Sequence, residues 1–213
     1  MRTIKIILLS ALLLTANITL FSQVKYKQET EELRRSSIAA GFLYTEGGFG
    51  IHGTYYIPTG RITDLMIKLS LSGVSDDSEV EYYDPYGNSY IKNKVNRVFM
   101  MPLSIGIKHN IFYDDLEGNF KPFIRGGVAP TLVMTTPYNQ SFFAAIPDMQ
   151  TGFAVGPFAG AGIEYYESKT LGMSIALDYY YLPVIGRKIT SLYNQPIDNM
   201  GGAQISFTML FLK

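Results

Sequence analysis

The chain has 213 residues, a formal net charge of zero, no Cys and no Trp, with 16 Tyr, 13 Phe and 20 Gly. Neutrality leaves no basic field for nucleic acid and no acidic field for a cationic partner, and the missing thiols exclude a disulfide scaffold and a thiolate metal site. The length allows one moderate domain or a large barrel, and the Tyr, Phe and Gly content favours strands over helices.

Residues 1–22 read as a secretory signal peptide. Arg2 and Lys5 precede an apolar run, Ile6–Leu14, and small or polar residues follow as far as Ser22, with cleavage expected before Gln23. The competing reading, an N-terminal membrane anchor, is disfavoured because a spanning helix needs about 20 predominantly apolar residues. No later segment is apolar for that length. Residues 23–35, "QVKYKQETEELRR", form a polar extension, read as solvated rather than as a short helix.

From Ser36 to residue 213 the texture is uniform. Eight strands are predicted at about 36–45, 48–57, 63–73, 96–112, 120–134, 152–166, 171–182 and 200–212. Several exceed the usual soluble strand of about 5–6 residues and suit a tilted strand crossing a bilayer, which needs about 9–11. Their connections alternate. "PTGRIT", "YDDLEGN" and "ESKT" are short, whereas three of the four connections at the other end are long, the exception lying near Glu46–Gly48. Short turns at one end and long loops at the other is the asymmetry of an outer-membrane barrel. An even count puts both ends of the barrel on the short-turn side.

Period-two alternation also occurs in soluble barrels with apolar interiors, so the other face decides. In the third strand Leu65, Ile67, Leu69 and Leu71 alternate with Met66, Lys68, Ser70 and Ser72. In the seventh, Met173, Ile175 and Leu177 alternate with Gly172, Ser174, Ala176 and Asp178. The second set is small or singly charged, unlike the Lys and Glu fringe of a solvated sheet, and small residues suit the crowded bore of eight strands. The apolar set therefore faces lipid, including Ile205, Phe207, Met209 and Phe211 in the last strand. A spanning sheet must close to satisfy its backbone, so the last strand pairs with the first. Tyr44, Tyr55, Phe99, Tyr165, Tyr179 and Phe211 fall on the outward set near strand ends, as an interfacial aromatic girdle requires. Pro102, Pro122, Pro130 and Pro157 lie inside predicted strands, which calls for bulges or shifted boundaries.

By parity the lumen holds Lys68, Lys108, Arg125, Glu164 and Asp178. Lys108 falls opposite Arg125, and Arg125 is expected to pair with Glu164. The arrangement reads as a plug, with a polar pathway for a small solute as the alternative, because unpaired buried charge is costly. The two histidines, His52 facing inward and His109 on the lipid-facing parity, sit in no nucleophile motif. The acidic loop with Asp76, Asp77, Glu79, Glu81 and Asp84 does not match the spacing of a calcium loop. Tyr82, Tyr83, Tyr86 and Tyr90, with Phe142 and Phe143 in the next long loop, offer a surface contact patch. Phosphate-cradling, zinc and nucleic-acid motifs do not occur, so no cofactor, metal or nucleic acid is expected.

Three stretches, "FMMPLSIGIKHNIF", "FKPFIRGGVAPTLVM" and "AQISFTMLFLK", resemble small bacterial outer-membrane β-barrels of the OmpA-like superfamily. The nearest flavour is the outer membrane β-barrel domain of Bacteroidetes, which includes PorT-like proteins. The resemblance covers about 37–213. It implies an all-β fold, an eight-stranded antiparallel up-and-down transmembrane barrel in the bacterial outer membrane. It also implies that the terminal strand, through Phe207, Met209 and Phe211, is the signal read by the barrel-assembly machinery, although Leu212 and Lys213 follow the aromatic. PorT-like proteins are implicated in secretion. The expected role is non-enzymatic, structural or surface-interacting, with outer-membrane lipid around the wall and an extracellular or periplasmic protein partner at the ends. A narrow porin-like pore or a transport or secretion component is the alternative, and a lipid-modifying barrel enzyme comes third.

Overall fold

The computed structural model describes residues 36–75, 79–113, 119–141, 143–168, 170–186 and 189–212. The expected signal peptide and polar extension lie outside them, as do Asp76, Asp77 and Phe142. The strands are β1 (Ser37–Thr45), β2 (Gly48–Pro58), β3 (Thr63–Val74), β4 (Glu81–Tyr83), β5 (Ser89–Ile91), β6 (Asn96–Asn110) and β7 (Phe120–Pro137). They continue as β8 (Gln150–Tyr166), β9 (Leu171–Tyr180), β10 (Val184–Ile185), β11 (Ile189–Leu192), β12 (Gln195–Ile197) and β13 (Gly202–Leu212).

Eight of these strands close into an antiparallel barrel in the order β1-β2-β3-β6-β7-β8-β9-β13, and β13 returns to β1. Phe42 pairs with Phe207 at that seam, and the pairing reaches Leu212 opposite Ser37. The C-terminal alternation therefore belongs to the closing strand. No helix among the described residues is long and apolar enough to cross a membrane; crossing is by strands. β6, β7 and β8 have 15, 18 and 17 residues, and their excess over a membrane crossing continues on the long-loop side.

The faces divide as the side-chain pattern requires. Phe42 is 69 % exposed and Phe207 54 %, whereas their neighbours Leu43 and Ser206 are at most 1 % exposed. Leu69, Ile105, Val128, Ile163 and Leu177 continue the apolar belt around the wall. A soluble monomer rarely exposes an apolar patch beyond about 300–600 Å2, and a closed sheet leaves no unpaired edge for lipid to meet. The exterior is therefore a membrane surface. Aromatic pairs mark both rims: Tyr44 and Phe49 at the long-loop end with ring centroids 5.1 Å apart, and Phe120 and Tyr165 at the short-turn end at 4.9 Å. Phe99 and Tyr165 are half-buried rather than fully turned to lipid.

Two expectations change. The prolines cause no bulge, because β6–β7, β3–β6 and β7–β8 hold one register throughout. Pairing simply lapses beside Pro102 and Pro130, between Pro102–Thr131 and Ile105–Val128, and resumes unshifted. The bore is also less uniformly small than expected. Met100, Val133, Phe158 and Tyr180 fill its outer half and pack with Ile189, Ile197 and Met200 from the β9–β13 connection. That long loop folds inward as an apolar stopper.

Candidate functional site

The lumen charges are interleaved with large inward side chains: Tyr56 and Met66, which belong to the same buried cluster as the stopper, and Phe123 near the short turns. Lys68, Lys108, Arg125, Glu164 and Asp178 all project inward and are at most 6 % exposed. Lys108 stands opposite Arg125 in the β6–β7 register, yet the two cations are satisfied by different carboxylates. Arg125 donates from Nε to Asp178 Oδ1 at 2.7 Å and from Nη2 to Asp178 Oδ2 at 2.6 Å. Lys68 Nζ donates to the same Oδ2 at 3.3 Å. Lys108 Nζ donates to Glu164 Oε1 at 2.6 Å and lies 3.2 Å from Asp64 Oδ2. Tyr166 donates to Glu164 Oε2 at 2.6 Å.

The partner of Arg125 is therefore Asp178, not Glu164, and the reason is local. In register, Arg125 faces Gly160 on β8, and Gly160 faces Asp178 on β9. A β-carbon on Gly160 would lie 2.1 Å from Asp178 Oδ1. The missing side chain opens the direct line between guanidinium and carboxylate. Asp64, not singled out from sequence, completes the set. Among the described residues the buried lumen charges are three cations, Lys68, Lys108 and Arg125, against three carboxylates, Asp64, Glu164 and Asp178.

Aromatic rings enclose these charges. Lys108 Nζ lies 4.7 Å from the Tyr56 ring centroid and 5.4 Å from that of Phe123. The Phe158 and Tyr180 rings stack at 5.2 Å. Cation–ring contacts gain strength where water is excluded. The layer is thus paired, aromatic-clad and buried, and its bonds tie β3, β6, β7, β8 and β9 together across the bore.

His52 faces the lumen, with Nε2 3.2 Å from Thr208 Oγ1 and Nδ1 3.4 Å from Thr54 Oγ1. All three residues are buried. His109 meets Thr63 Oγ1 at 2.9 Å near the short turns.

The long loops interlock. Glu79 accepts from Lys94 at 2.6 Å and from Ser191 Oγ. The Val95 amide donates to the Ser191 carbonyl at 2.7 Å, and Asn96 Nδ2 to the Thr190 carbonyl at 2.9 Å. Arg97 donates to the Pro137 and Gln140 carbonyls, and both Lys94 and Arg97 lie over the Tyr138 ring. Two of the long connections carry short hairpins of their own, β4–β5 and β11–β12. Asp84 tightens the first: it accepts from the Asn88 side chain, the Asn88 amide and the Tyr86 amide. Those bonds, the Asn88 side chain first, hold its carboxyl below the usual carboxylate range. Tyr83, Tyr86, Phe143 and Tyr193 remain exposed on this platform, Tyr86 at 90 %. Among the described residues no three metal-ligating side chains gather.

No protein-family model matches the chain, and neither does any curated protein. Solved structures do. Neisserial surface protein A superposes with a TM-score of 0.51 at 9 % identity, over 84 % of this chain and 95 % of that one. The N-terminal β-barrel domain of OprF from Pseudomonas aeruginosa gives 0.48 at 11 % identity, over 84 % and 97 %. Ail, the attachment invasion locus protein of Yersinia pestis, gives 0.46 at 9 % identity, over 84 % and 97 %. The first likeness establishes the fold. Together with the apolar belt, the even strand count and the loop asymmetry, it makes this chain an eight-stranded barrel of the bacterial outer membrane.

Proposed function

We propose that the protein is a non-enzymatic outer-membrane barrel whose loop platform is the working surface and whose bore is a structural strut. The observation that carries this reading is the filled bore: an apolar stopper above a charge-balanced, buried ion network. A conducting path needs a continuous polar lining, and this bore is interrupted by Met100, Phe158 and Tyr180. The interlocked loops and their exposed tyrosines supply a preformed contact surface, since rigid aromatic side chains contribute much contact area at low entropic cost.

In the same reading, residues 1–22 direct export, and Phe207, Met209 and Phe211 present the closing strand to the barrel-assembly machinery. Membership of the OmpA-like superfamily, with a PorT-like link to secretion, would fit such a platform, with a protein partner met at the loops.

Planar-bilayer recording tests the strut. The wild type is expected to be electrically silent, and stepwise conductance through the unmodified barrel would overturn the reading in favour of a pore. Replacing Tyr83, Tyr86 and Tyr193 together by Ser is expected to abolish surface binding while leaving the barrel folded.

A further inference from the structure

The β9–β13 connection crosses the mouth of the barrel from wall to wall. β13 and β6 stand four strands apart in the eight-strand order, on opposite sides. The connection is rooted on β9 and β13. There the Met200 amide donates to the Leu182 carbonyl at 2.9 Å, the Val184 amide donates to the Asp198 carbonyl at 2.9 Å, and Asn199 Oδ1 accepts from the Leu182 amide at 2.8 Å. Its tip, the β11–β12 hairpin, docks on residues 93–96, which lead into β6. Leu192 bridges to Lys94, and the Tyr193 amide donates to the Asn93 carbonyl at 3.0 Å. On the inner side Ile189 and Ile197 pack into the buried cluster. On the outer side Tyr193 is exposed.

Root and tip are held differently. The root is zipped by backbone bonds that continue the β9–β13 pairing. The tip is held by the amides of Val95 and Tyr193, by the Asn96 side chain on the Thr190 carbonyl, and by one carboxylate, Glu79, which accepts from both Ser191 Oγ and Lys94 Nζ. The Glu79 side chain is 5 % exposed and Ser191 is buried, so water does not compete for this latch, and hydrogen bonds to an ionised acceptor are about twice as strong as neutral ones. Between root and tip, Gly186 has a φ of +81°, a left-handed conformation that glycine adopts without steric cost. A segment tied down by few bonds at its far end opens at lower free energy than the sheet it leaves. We infer that residues 189–197 are a strap, hinged at its root and latched shut across the mouth by Glu79, whose release uncovers the apolar bore at Met100, Phe158 and Tyr180. The strap rests on the filled-bore reading and goes beyond it. Tyr193 outside and Ile189 inside ride on one hairpin, so whatever holds the outer surface also holds the stopper.

The test is alkylation of single thiols by a bulky, water-soluble maleimide in the full barrel in detergent micelles. The chain has no cysteine of its own, so each introduced thiol reports alone. Ile197→Cys reads the strap, and Tyr193→Cys gives the rate of an exposed thiol. Ser70→Cys reads the barrel beneath, since Ser70 is buried and its hydroxyl has no hydrogen-bond partner among the described residues. The thiol at position 197 is expected to react far more slowly than the one at 193. Adding Glu79→Ala is expected to speed it by about ten-fold or more, as loss of a hydrogen bond to a charged group implies, while the thiol at position 70 stays protected. The strap is overturned if Glu79→Ala leaves the rate at 197 unchanged, or if it exposes position 70 to the same degree, which is loosening of the whole barrel. The two readings fail separately. A thiol at 197 that stays protected with Glu79→Ala removes the strap alone, whereas one that reacts as fast as that at 193 with Glu79 intact removes the stopper and the filled-bore reading with it.

Discussion

Arg125 reaches Asp178 across Gly160, and Asp178 also receives Lys68, so one carboxylate neutralises two buried cations. Removing one partner of a buried pair leaves uncompensated charge and costs about 3–5 kcal/mol. Asp178→Asn is therefore expected to destabilise the barrel by about that amount in urea unfolding followed by gel migration. Glu164→Gln should cost less, because Lys108 keeps Asp64 at 3.2 Å; equal losses would contradict the assigned pairing. At the surface, Asp84 has a lowered pKa in the folded hairpin. Its contribution is fully present above the unfolded value of about 3.9 and is lost as pH falls through the folded value. NMR of the Asn88 amide should thus show an unchanged turn from neutrality down to the ordinary carboxylate range, with melting only below it. A transition above that range would contradict the turn assignment.

Element by element, the eight strands were legible because period two was set against a second face of Gly, Ser, Ala and Thr, as in β9, where Gly172, Ser174 and Ala176 alternate with Met173, Ile175 and Leu177. Lys108 opposite Arg125 was also legible, since a short turn fixes the β6–β7 register. The Arg125–Asp178 pair was not, because it skips a strand and depends on a hole at Gly160. The stopper was missed because a loop with polar neighbours hid Ile189, Ile197 and Met200; Met100, Phe158 and Tyr180 on the small-residue face were the available signal. The closing strand makes its own prediction. A β-carbon on Gly41 would lie 2.0 Å from the Phe207 carbonyl oxygen, so Gly41→Val should force the β1–β13 seam apart. Overpacking of this kind typically costs about 1–3 kcal/mol. Gly53→Ala, whose added carbon meets nothing closer than 4.0 Å, should change stability by less than about 0.5 kcal/mol. Parallel thermal unfolding of the two variants reads the difference, and equal midpoints would contradict the seam.

For the whole molecule, one inversion of soluble-protein logic organises the structure: leucine, isoleucine and phenylalanine clothe the wall while lysine, arginine and aspartate sit inside. The ion network and the stopper are needed because a bore of this width must be packed, and the loops interlock above it. The direct test is nitroxide scanning of residues 203–211 in lipid vesicles, reading accessibility to oxygen, which concentrates in the bilayer, and to a water-soluble nickel chelate. The account predicts a period of two, with Ala203, Ile205, Phe207, Met209 and Phe211 open to oxygen and Gln204, Ser206, Thr208 and Leu210 shielded from both reagents. The opposite phase, or nickel access along the inward set, would contradict it.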